Sequence, residues 1–389
     1  MNGIYDYGVT PVSVTPTGVI PKFSGYGVEA IAGITGVRST ARSSVSLSFQ
    51  ALYRDYAGGS YFNGADENLG LAISHKLGKR LSLSWREGVS TYSRSFGVRD
   101  TAEQPPAFVY FNNPANEIFD GRTYFLGSIV DLIYQKSARM SFDFGGSQNL
   151  VRRRSFALYD ATGYEGHADM SYRVSRRVTL GVYYRFSHYS FSKQFGASDI
   201  HTSGVNISRR LSRYWDLGFS GGVSRVETLG LTRVAVDPVI AAITGQNFGI
   251  RSAYTLVYAP DFSARLSRTF RQAMLAFVYS RSISPGNGLY LTSQGENASV
   301  SYNYKGLLRW NFLSEAAYNK YISVSQTVGN YVEYHAGIGF SRSFQRSFSF
   351  IGRAAYRTYN ANANSLHRSQ YDISIGLAYS PGERPVSLW

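Results

Sequence analysis

The stretch Val178-Thr179-Leu180-Gly181-Val182-Tyr183-Tyr184-Arg185-Phe186 decides the fold class, because its side chains alternate with a period of two. The even-numbered positions are large and apolar or aromatic, and the odd-numbered positions are small, polar or amphipathic. The same alternation occurs at residues 45–53, 298–304, 331–340 and 371–379. A β-strand with one apolar and one polar face is therefore the repeating unit of this chain.

Short basic or polar turns separate these strands. They lie at residues 78–80, 137–139, 175–177, 212–214, 271–272, 305–307 and 345–346. Most neighbouring turns are about 35 to 40 residues apart, which equals two strands, one tight turn and one longer loop. Two wider intervals each contain a long insertion, at residues 96–121 and 229–250, on the side opposite the short turns. This pattern predicts short turns on one rim, which is periplasmic by convention, and long loops on the other.

The composition fits a membrane barrel better than a soluble protein. The 389 residues include 31 Tyr, 24 Phe and 39 Gly, only 17% are charged, and the mean hydropathy is -0.20. An apolar outer face, a Ser/Gly/Asn-rich lumen and interfacial tyrosines account for this mixture. No apolar run approaches the ~20 residues of a membrane helix. The chain has no cysteine, which excludes disulfides, thiolate metal sites and a cysteine nucleophile.

We predict an all-β, antiparallel up-and-down barrel of 16 strands, with 18 as the alternative. The predicted strands begin near residues 44, 66, 80, 122, 139, 164, 178, 200, 215, 252, 273, 297, 309, 331, 347 and 369. Residues 26–35 also alternate, but a seventeenth strand does not suit a closed antiparallel sheet of this class. A partner within residues 12–23 would make 18, although Pro11, Pro16 and Pro21 argue against a central strand there.

On this architecture the chain resembles bacterial outer-membrane β-barrels as a class, porin-like, and no narrower family is indicated. The resemblance covers residues 44–380, preceded by a periplasmic, plug or weak-strand segment at 1–43 and followed by a tail at 381–389. It implies an outer-membrane location and a terminal aromatic residue that the barrel-assembly machinery recognises. Either Tyr379 completes that signal, or residues 386–389, which end in Trp389, fold back along the rim. The start of the sequence lacks the pattern of a signal peptide, so we expect a leader to be removed or to lie outside it.

Polar strand faces predict a hydrated lumen. Its predicted charged residues are Arg54, Lys76, Arg86, Asp131, Asp143, Asp169, Arg173, Arg185, Arg210, Asp216, Glu315, Glu333, Arg353 and Arg357. The seven arginines among them are the candidate solute contacts, and the alternative is that they pair with acids across the wall. The net charge of +15 favours an anion-attracting lumen or contact with anionic lipid headgroups. Nucleic-acid binding is not expected, because the basic residues lie in strands and tight turns.

Three tryptophans and two loops complete the candidate sites. Trp85, Trp215 and Trp310 fall early in strands that leave the short-turn rim, where an interfacial aromatic girdle is expected. The insertion at 96–121 either folds inward as an acidic constriction or covers the rim. Its acids are Asp100, Glu103, Glu117 and Asp120. The apolar insertion at 229–250 plugs the mouth, folds onto the barrel or meets a partner.

The leading functional hypothesis is an outer-membrane channel for passive diffusion of small hydrophilic solutes, with a preference for anionic ones. A structural or assembly barrel that anchors a surface or periplasmic complex is the alternative, and a lipid- or peptide-acting enzyme is the third. An enzyme of this kind would need His188 and His201 to meet near Ser190 or Asp199. The sequence shows no Ser/His/acid motif with the spacing of a known enzyme family. His188, Asp199 and His201 also make a weak metal site, so we expect no catalytic residue, metal or cofactor. The expected partners are outer-membrane lipids, the assembly machinery and either further copies of the chain or a surface or periplasmic protein.

Overall fold

The computed structural model describes residues 1–9, 22–57, 63–92, 122–154, 159–192, 196–235, 245, 248–285, 292–324, 330–344, 347–361 and 366–380. Eighteen strands run through these residues. They are β1 Asn2–Val9, β2 Lys22–Ser39, β3 Ser43–Tyr56, β4 Gly64–Lys76, β5 Leu81–Tyr92, β6 Thr123–Gln135, β7 Met140–Arg153, β8 Asp160–Arg173, β9 Val178–Ser192, β10 Ala197–Arg210, β11 Trp215–Ala235, β12 Phe248–Thr269, β13 Ala273–Pro285, β14 Thr292–Tyr304, β15 Trp310–Ser323, β16 Tyr331–Ser343, β17 Phe348–Ala361 and β18 Leu366–Tyr379. Within the described part of the chain, no helix has the length and apolar character needed to cross a membrane.

The sheet closes on itself. Each strand pairs antiparallel with the next in sequence, and β1 pairs with both β2 and β18. Tyr5 lies between Tyr26 of β2 and Ile373 of β18 in this closing seam. The chain is therefore a closed, antiparallel barrel of 18 strands.

The predicted count of 16 strands is wrong, and the alternative of 18 is confirmed. The 16 predicted strands correspond to β3–β18, and residues 1–43 supply the other two. The partner of β2 is Asn2–Val9 rather than a strand within residues 12–23, most of which lie outside the described residues. Strand β1 escaped prediction because it is short and because inward-facing Ile4 interrupts the alternation of apolar and polar positions.

The two rims differ as the sequence predicts. The short-turn rim comprises the connections at 40–42, 77–80, 136–139, 174–177, 211–214, 270–272, 305–309 and 344–347, and β1 begins and β18 ends there. The connections on the opposite, long-loop rim include the insertion between β5 and β6. The strand register places large apolar side chains on the outward face, among them Phe144, Val205, Ile338 and Ile375. Polar and charged side chains line the inward face.

The barrel wall is irregular beside β11 and β12, the two longest strands. They pair with each other along 21 residues of β11, yet β12 pairs with β13 only from Phe262 to Thr269. The long-loop ends of β13, β14 and β15 bend into the lumen beside β12. The hydroxyl of Thr292 in β14 lies 2.5 Å from that of Ser198 on the inner face of β10. The long-loop end of the lumen is therefore narrower than the short-turn end.

Gly27 on β2 provides a test of how closely β2 packs against β3 beside the closing seam. A Cβ there would clash with the backbone of β3, including the carbonyl oxygen of Asp55 and, at 3.0 Å, the Cα of Tyr56. We expect Gly27→Ala to destabilise the barrel by about 1–3 kcal/mol, as overpacking does. Gly36→Ala on the same strand is the control, because nothing lies within 4 Å of its Cβ position. The measurement is the urea midpoint of the band shift between folded and unfolded barrel, and equal midpoints for the two variants would contradict this close packing.

Candidate functional site in the barrel lumen

All seven predicted solute-contacting arginines lie on the inward face of the wall. Six of them are within ion-pair distance of a carboxylate. The pairs are Arg54–Glu29 (3.1 Å) and Arg54–Asp66 (3.5 Å), Arg86–Asp131 (2.6 Å), Arg185–Glu165 (3.2 Å), Arg210–Asp216 (3.4 Å), Arg353–Glu315 (3.4 Å) and Arg357–Glu333 (3.0 Å). Arg173 is exposed at the short-turn end of β8. Contact between these arginines and a solute stays a prediction, since most of their charge is compensated within the wall.

The closing seam holds one charged cluster. The guanidinium of Arg54 bridges Glu29 and Asp66, and all three residues are buried. The amide of Asn2 donates to Glu29 at 3.0 Å. The cluster ties β1, β2, β3 and β4 together, so buried charges are paired where the barrel closes.

A second cluster on β15–β17 combines ion pairs with tyrosines. Glu333 is 2% exposed. Its carboxylate forms an ion pair with Nε of Arg357 at 3.0 Å and accepts a hydrogen bond from the hydroxyl of Tyr331 at 3.4 Å. Arg357 also donates to the hydroxyl of Tyr359 at 3.1 Å. The ring of Tyr331 packs at a tilt between those of Tyr321 and Tyr359, with centroids 6.1 and 5.9 Å away. This part of the wall is packed rather than hydrated.

A third cluster lies on β5–β8. Asp131 of β6, Gly145 of β7 and His167 of β8 are register neighbours, and His167 Nε2 lies 3.6 Å from Asp131 Oδ1. Asp143 lies two residues from Gly145 on the same face. Arg86 and Ser84 of β5 donate to the other oxygen of Asp131 at 2.6 and 3.1 Å. Carboxylates outnumber guanidinium groups here.

Glycines shape the lumen wall beside this cluster. Tyr183 of β9 lies along the wall and donates to Asp261 of β12 at 2.7 Å. The side chain crosses Gly204 and Gly222, where a Cβ would stand 2.6 and 2.8 Å from the tyrosine hydroxyl. The two glycines therefore allow a long side chain to lie flat against the wall and leave lumen space free.

The long-loop end of the lumen is narrowed by a buried apolar cluster. Its buried members lie on the inward faces of β5–β11 and are Tyr92, Phe125, Val151, Ala161, Tyr189, Phe191, Ile200 and Val226. Ile283 and Val324, at the long-loop ends of β13 and β15, pack against it from across the lumen. Val226 is 0% exposed. A wide, open pore would leave such wall residues wet, so this cluster marks the narrowest level.

The short-turn half of the lumen is open. The inward-facing side chains of Ile31 and Val37 on β2 are 41% and 67% exposed. Met274 and Val278 on β13 are 43% and 39% exposed on the same inner surface. The lumen is thus a vestibule that widens towards the short-turn rim.

The positive charge of the chain gathers at the short-turn rim. The described turns of this rim contain eleven exposed basic residues and no acid. They are Arg42, Lys79, Arg80, Lys136, Arg139, Arg176, Arg177, Arg213, Arg271, Lys305 and Arg309. The charge of +15 therefore comes mainly from one mouth of the barrel rather than from its interior.

The three predicted girdle tryptophans lie near the same rim on the outward face. The ring of Trp310 stacks on Phe312 at 5.6 Å, and the guanidinium of Arg342 lies 5.1 Å from its centroid. Arg268 lies 5.1 Å from the ring of Trp215. Trp85 is 40% exposed on β5. Their contact with lipid stays a prediction.

The histidines proposed for an enzymatic or metal site do not converge. His188 Nδ1 lies 2.7 Å from Asp199, whereas His201 Nδ1 contacts the hydroxyl of Tyr184 at 2.8 Å. Both histidines lie on the outward face near the long-loop rim, and Ser190 shares that face. Among the residues that the structure describes, the one group of three or more metal-ligating side chains is Asp131, Asp143 and His167.

Several predicted features fall outside the described residues. These are the acids of the 96–121 insertion, namely Asp100, Glu103, Glu117 and Asp120, residues 236–244 and 246–247 of the apolar insertion at 229–250, and the tail with Trp389. Conversely, the charged lumen residues listed from the sequence lack six acids that the structure places on the inward face. They are Asp6, Glu29, Asp66, Glu165, Asp261 and Asp372. The sequence analysis also did not single out His167 as a candidate ligand. Continuing the period-two count into β1 and β2 and along β4, β8, β12 and β18 would have found these acids.

Solved structures of bacterial outer-membrane β-barrels are similar to this chain. The copper transporter OprC matches with a TM-score of 0.51 and 8% identity, over 98% of this chain and 65% of its own. The unliganded ferric citrate transporter FecA matches with a TM-score of 0.50 and 8% identity, over 98% and 64%. OccK8 (OprE) of Pseudomonas aeruginosa has a TM-score of 0.44 and 12% identity, over 98% and 97%.

The chain spans just under two thirds of the length of the first two of these transporters. No protein-family model matches its sequence, and no curated protein is significantly similar to it. The likeness establishes the fold, a closed β-barrel of the bacterial outer-membrane type, and nothing finer.

The pairing of lumen arginines is testable by stability. We expect Arg357→Met to destabilise the barrel by about 3–5 kcal/mol, because Glu333 would keep a buried charge after losing its guanidinium. Arg210→Met is the matched control, since the Arg210–Asp216 pair is 68% and 58% exposed and should contribute less than about 1 kcal/mol. Urea unfolding followed by tryptophan fluorescence gives both values. A larger loss for the Arg210 variant would contradict the assignment of buried and exposed pairs.

Proposed function

We propose that this protein is an outer-membrane channel for passive diffusion of small hydrophilic solutes, with a preference for anions. The open vestibule at the short-turn half of the lumen carries this proposal. Its wall bears Ser, Gly and charged side chains, and even its apolar residues, such as Val37, are accessible to water. A hydrated lumen of this kind admits polar solutes without a dedicated binding step.

The short-turn rim, rather than the lumen arginines, supplies the preference for anions. Inside the barrel, acids are at least as abundant as bases on the described inward faces. The acids are Asp6, Glu29, Asp66, Asp131, Asp143, Glu165, Asp169, Asp216, Asp261, Glu315, Glu333 and Asp372. Because the interior is close to balanced, the unpaired positive field lies at the mouth. A ring of basic side chains there raises the local concentration of anions and their rate of entry.

The buried apolar cluster limits which solutes pass. Solutes that enter the vestibule meet the level of Phe125 and Phe191 before they reach the long-loop rim. Apolar constrictions control permeation by excluding water. The proposed channel therefore has a low conductance for a barrel of 18 strands.

Planar-bilayer recording tests the channel and its selectivity separately. We expect steady single-channel conductance and a reversal potential of anion-selective sign under a salt gradient. Replacing Lys79, Arg80, Arg176 and Arg177 by Gln should reduce the anion preference, because these side chains lie in the turns of the mouth. The control replaces four outward-facing basic residues near the same rim, Arg38, Arg209, Arg268 and Arg342.

Two outcomes would overturn parts of the proposal. If correctly folded barrel passes no current, the proposed channel function is wrong. If the current prefers cations, or if the two sets of substitutions have equal effects, the short-turn rim does not set anion selectivity. The proposed channel function would still hold in that case.

A second candidate function, a structural barrel that anchors a complex, is favoured by the exposed end of the β11–β12 hairpin. Phe248, Ile250, Tyr254 and Tyr258 are 62–75% exposed there. Exposed apolar surface of this kind is typical of a protein contact.

Limited proteolysis of intact outer membranes tests the anchoring function. If a partner covers this hairpin, cleavage after its aromatic residues by chymotrypsin should be slow in native membranes and fast in purified, refolded barrel. Equal rates in the two preparations would exclude a partner at this surface.

A further inference from the structure

We propose that Asp131, Asp143 and His167 form a binding site for one divalent transition-metal ion on the lumen wall. Three neighbouring strands, β6, β7 and β8, each contribute one ligand. One ligand atom from each residue lies within 4.8 Å of the other two. These atoms are two carboxylate oxygens and one imidazole nitrogen, and water from the lumen would complete the coordination.

The protein itself leaves these groups incompletely satisfied. The distance from His167 Nε2 to Asp131 Oδ1 is 3.6 Å, which is too long for a hydrogen bond. Asp143 Oδ1 is covered from solvent and has no hydrogen-bond partner among the described residues. Covered polar atoms normally find a partner. A metal ion between these atoms would satisfy both carboxylates and the imidazole.

Charge on the surrounding strands also favours a cation. Asp169 is the cross-strand neighbour of Asp143, and two like charges in such a pair repel each other. Arg86 is the guanidinium that contacts the cluster, and it binds Asp131 Oδ2 on the side away from His167. Arg185, the cross-strand neighbour of His167, is paired with Glu165 at 3.2 Å. Asp131, Asp143 and Asp169 therefore retain an excess of negative charge over Arg86, and a divalent ion would balance it.

Hydrogen bonds from neighbouring side chains orient Asp131 as a metal ligand. Arg86 and Ser84 hold Asp131 Oδ2 at 2.6 and 3.1 Å, so Oδ1 points towards His167. Hydrogen bonds of this kind around the ligands set their direction and raise metal affinity.

Gly145 keeps the site open. It lies on β7 between Asp131 and His167 in register, and a Cβ there would stand 2.7 Å from Asp131 Oδ1 and from His167 Nε2. Any other residue would therefore fill the space in which the ligand atoms converge. The glycine makes the site a cavity in the wall rather than a flat surface.

The ligand set determines the class of ion. Imidazole nitrogen with carboxylate oxygen suits Zn²⁺, Fe²⁺ or Mn²⁺, whereas Mg²⁺ and Ca²⁺ prefer oxygen alone. Zn²⁺ is the probe of choice because it has no redox chemistry.

Isothermal titration of the full-length, chelator-treated barrel in detergent with ZnCl₂ tests the site. We expect one Zn²⁺ per barrel, no comparable binding of Mg²⁺, and affinity at least about tenfold lower in His167→Ala and in Asp143→Asn. His335→Ala is the matched control, because His335 also faces the lumen and lies 3.9 Å from Glu315 but belongs to no such group within the described residues. Zn²⁺ affinity that is the same in wild type and His167→Ala, or no stoichiometric binding at all, would overturn the proposal.

Two further variants separate metal binding from misfolding. Gly145→Ala keeps all three ligands but should abolish Zn²⁺ binding, since its Cβ occupies the site. Asp143→Asn relieves the repulsion with Asp169, so the metal-free barrel should fold at least as well as wild type. Zn²⁺ should raise the melting temperature of wild type and not that of Asp143→Asn. An equal rise in both would show that Zn²⁺ acts elsewhere. Since binding is measured without current, the result is independent of whether the barrel conducts.

Discussion

Closure of the sheet is the constraint on which the rest of this structure depends. A strand in hydrocarbon has no water to bind its backbone N–H and C=O groups, so each strand needs two neighbours. Strand β1 meets this requirement by pairing with β18 on one side and β2 on the other. Eight residues suffice, and they bring Asp6 to the inner face of the barrel. The same pairing thus completes the wall and places charge in the lumen.

Once the wall is closed, the period of two sorts side chains between its two faces. Apolar residues take the outward face, and charged residues take the inward face. Several of these charged residues are buried, and they pair, as Arg54 does with Glu29 and Asp66 and Arg357 does with Glu333. The cluster around Asp131 departs from this rule, since its acids exceed its bases. That imbalance distinguishes a candidate ligand site from ordinary wall chemistry.

The sequence was sufficient for the fold class, the two rims and the faces of β3–β18, because long alternating strands repeat between similar turns. It was insufficient for β1, whose inward Ile4 hides the alternation, and hence for the number of strands. It placed the seven lumen arginines on the inner face, but it left their pairing open. Partners such as Glu165 and Glu29 are fixed by register between strands, which periodicity within one strand does not determine. His167 meets two aspartates because of that same register and because Gly145, which lies between them, has no Cβ.

The incomplete pairing of β12 with β13 has a consequence for the surrounding bilayer. Residues 248–261 of β12 have β11 as their one neighbour among the described strands, so this edge cannot lie in hydrocarbon. The doubly paired segment that remains, from Phe262 to Thr269, spans about 27 Å along the strand at ~3.4 Å per residue. Strand tilt makes its height smaller than the ~25 Å apolar band of such barrels. In a bilayer, lipids beside the β12–β13 contact would therefore have to shorten, and the membrane would be thinner on that side of the barrel.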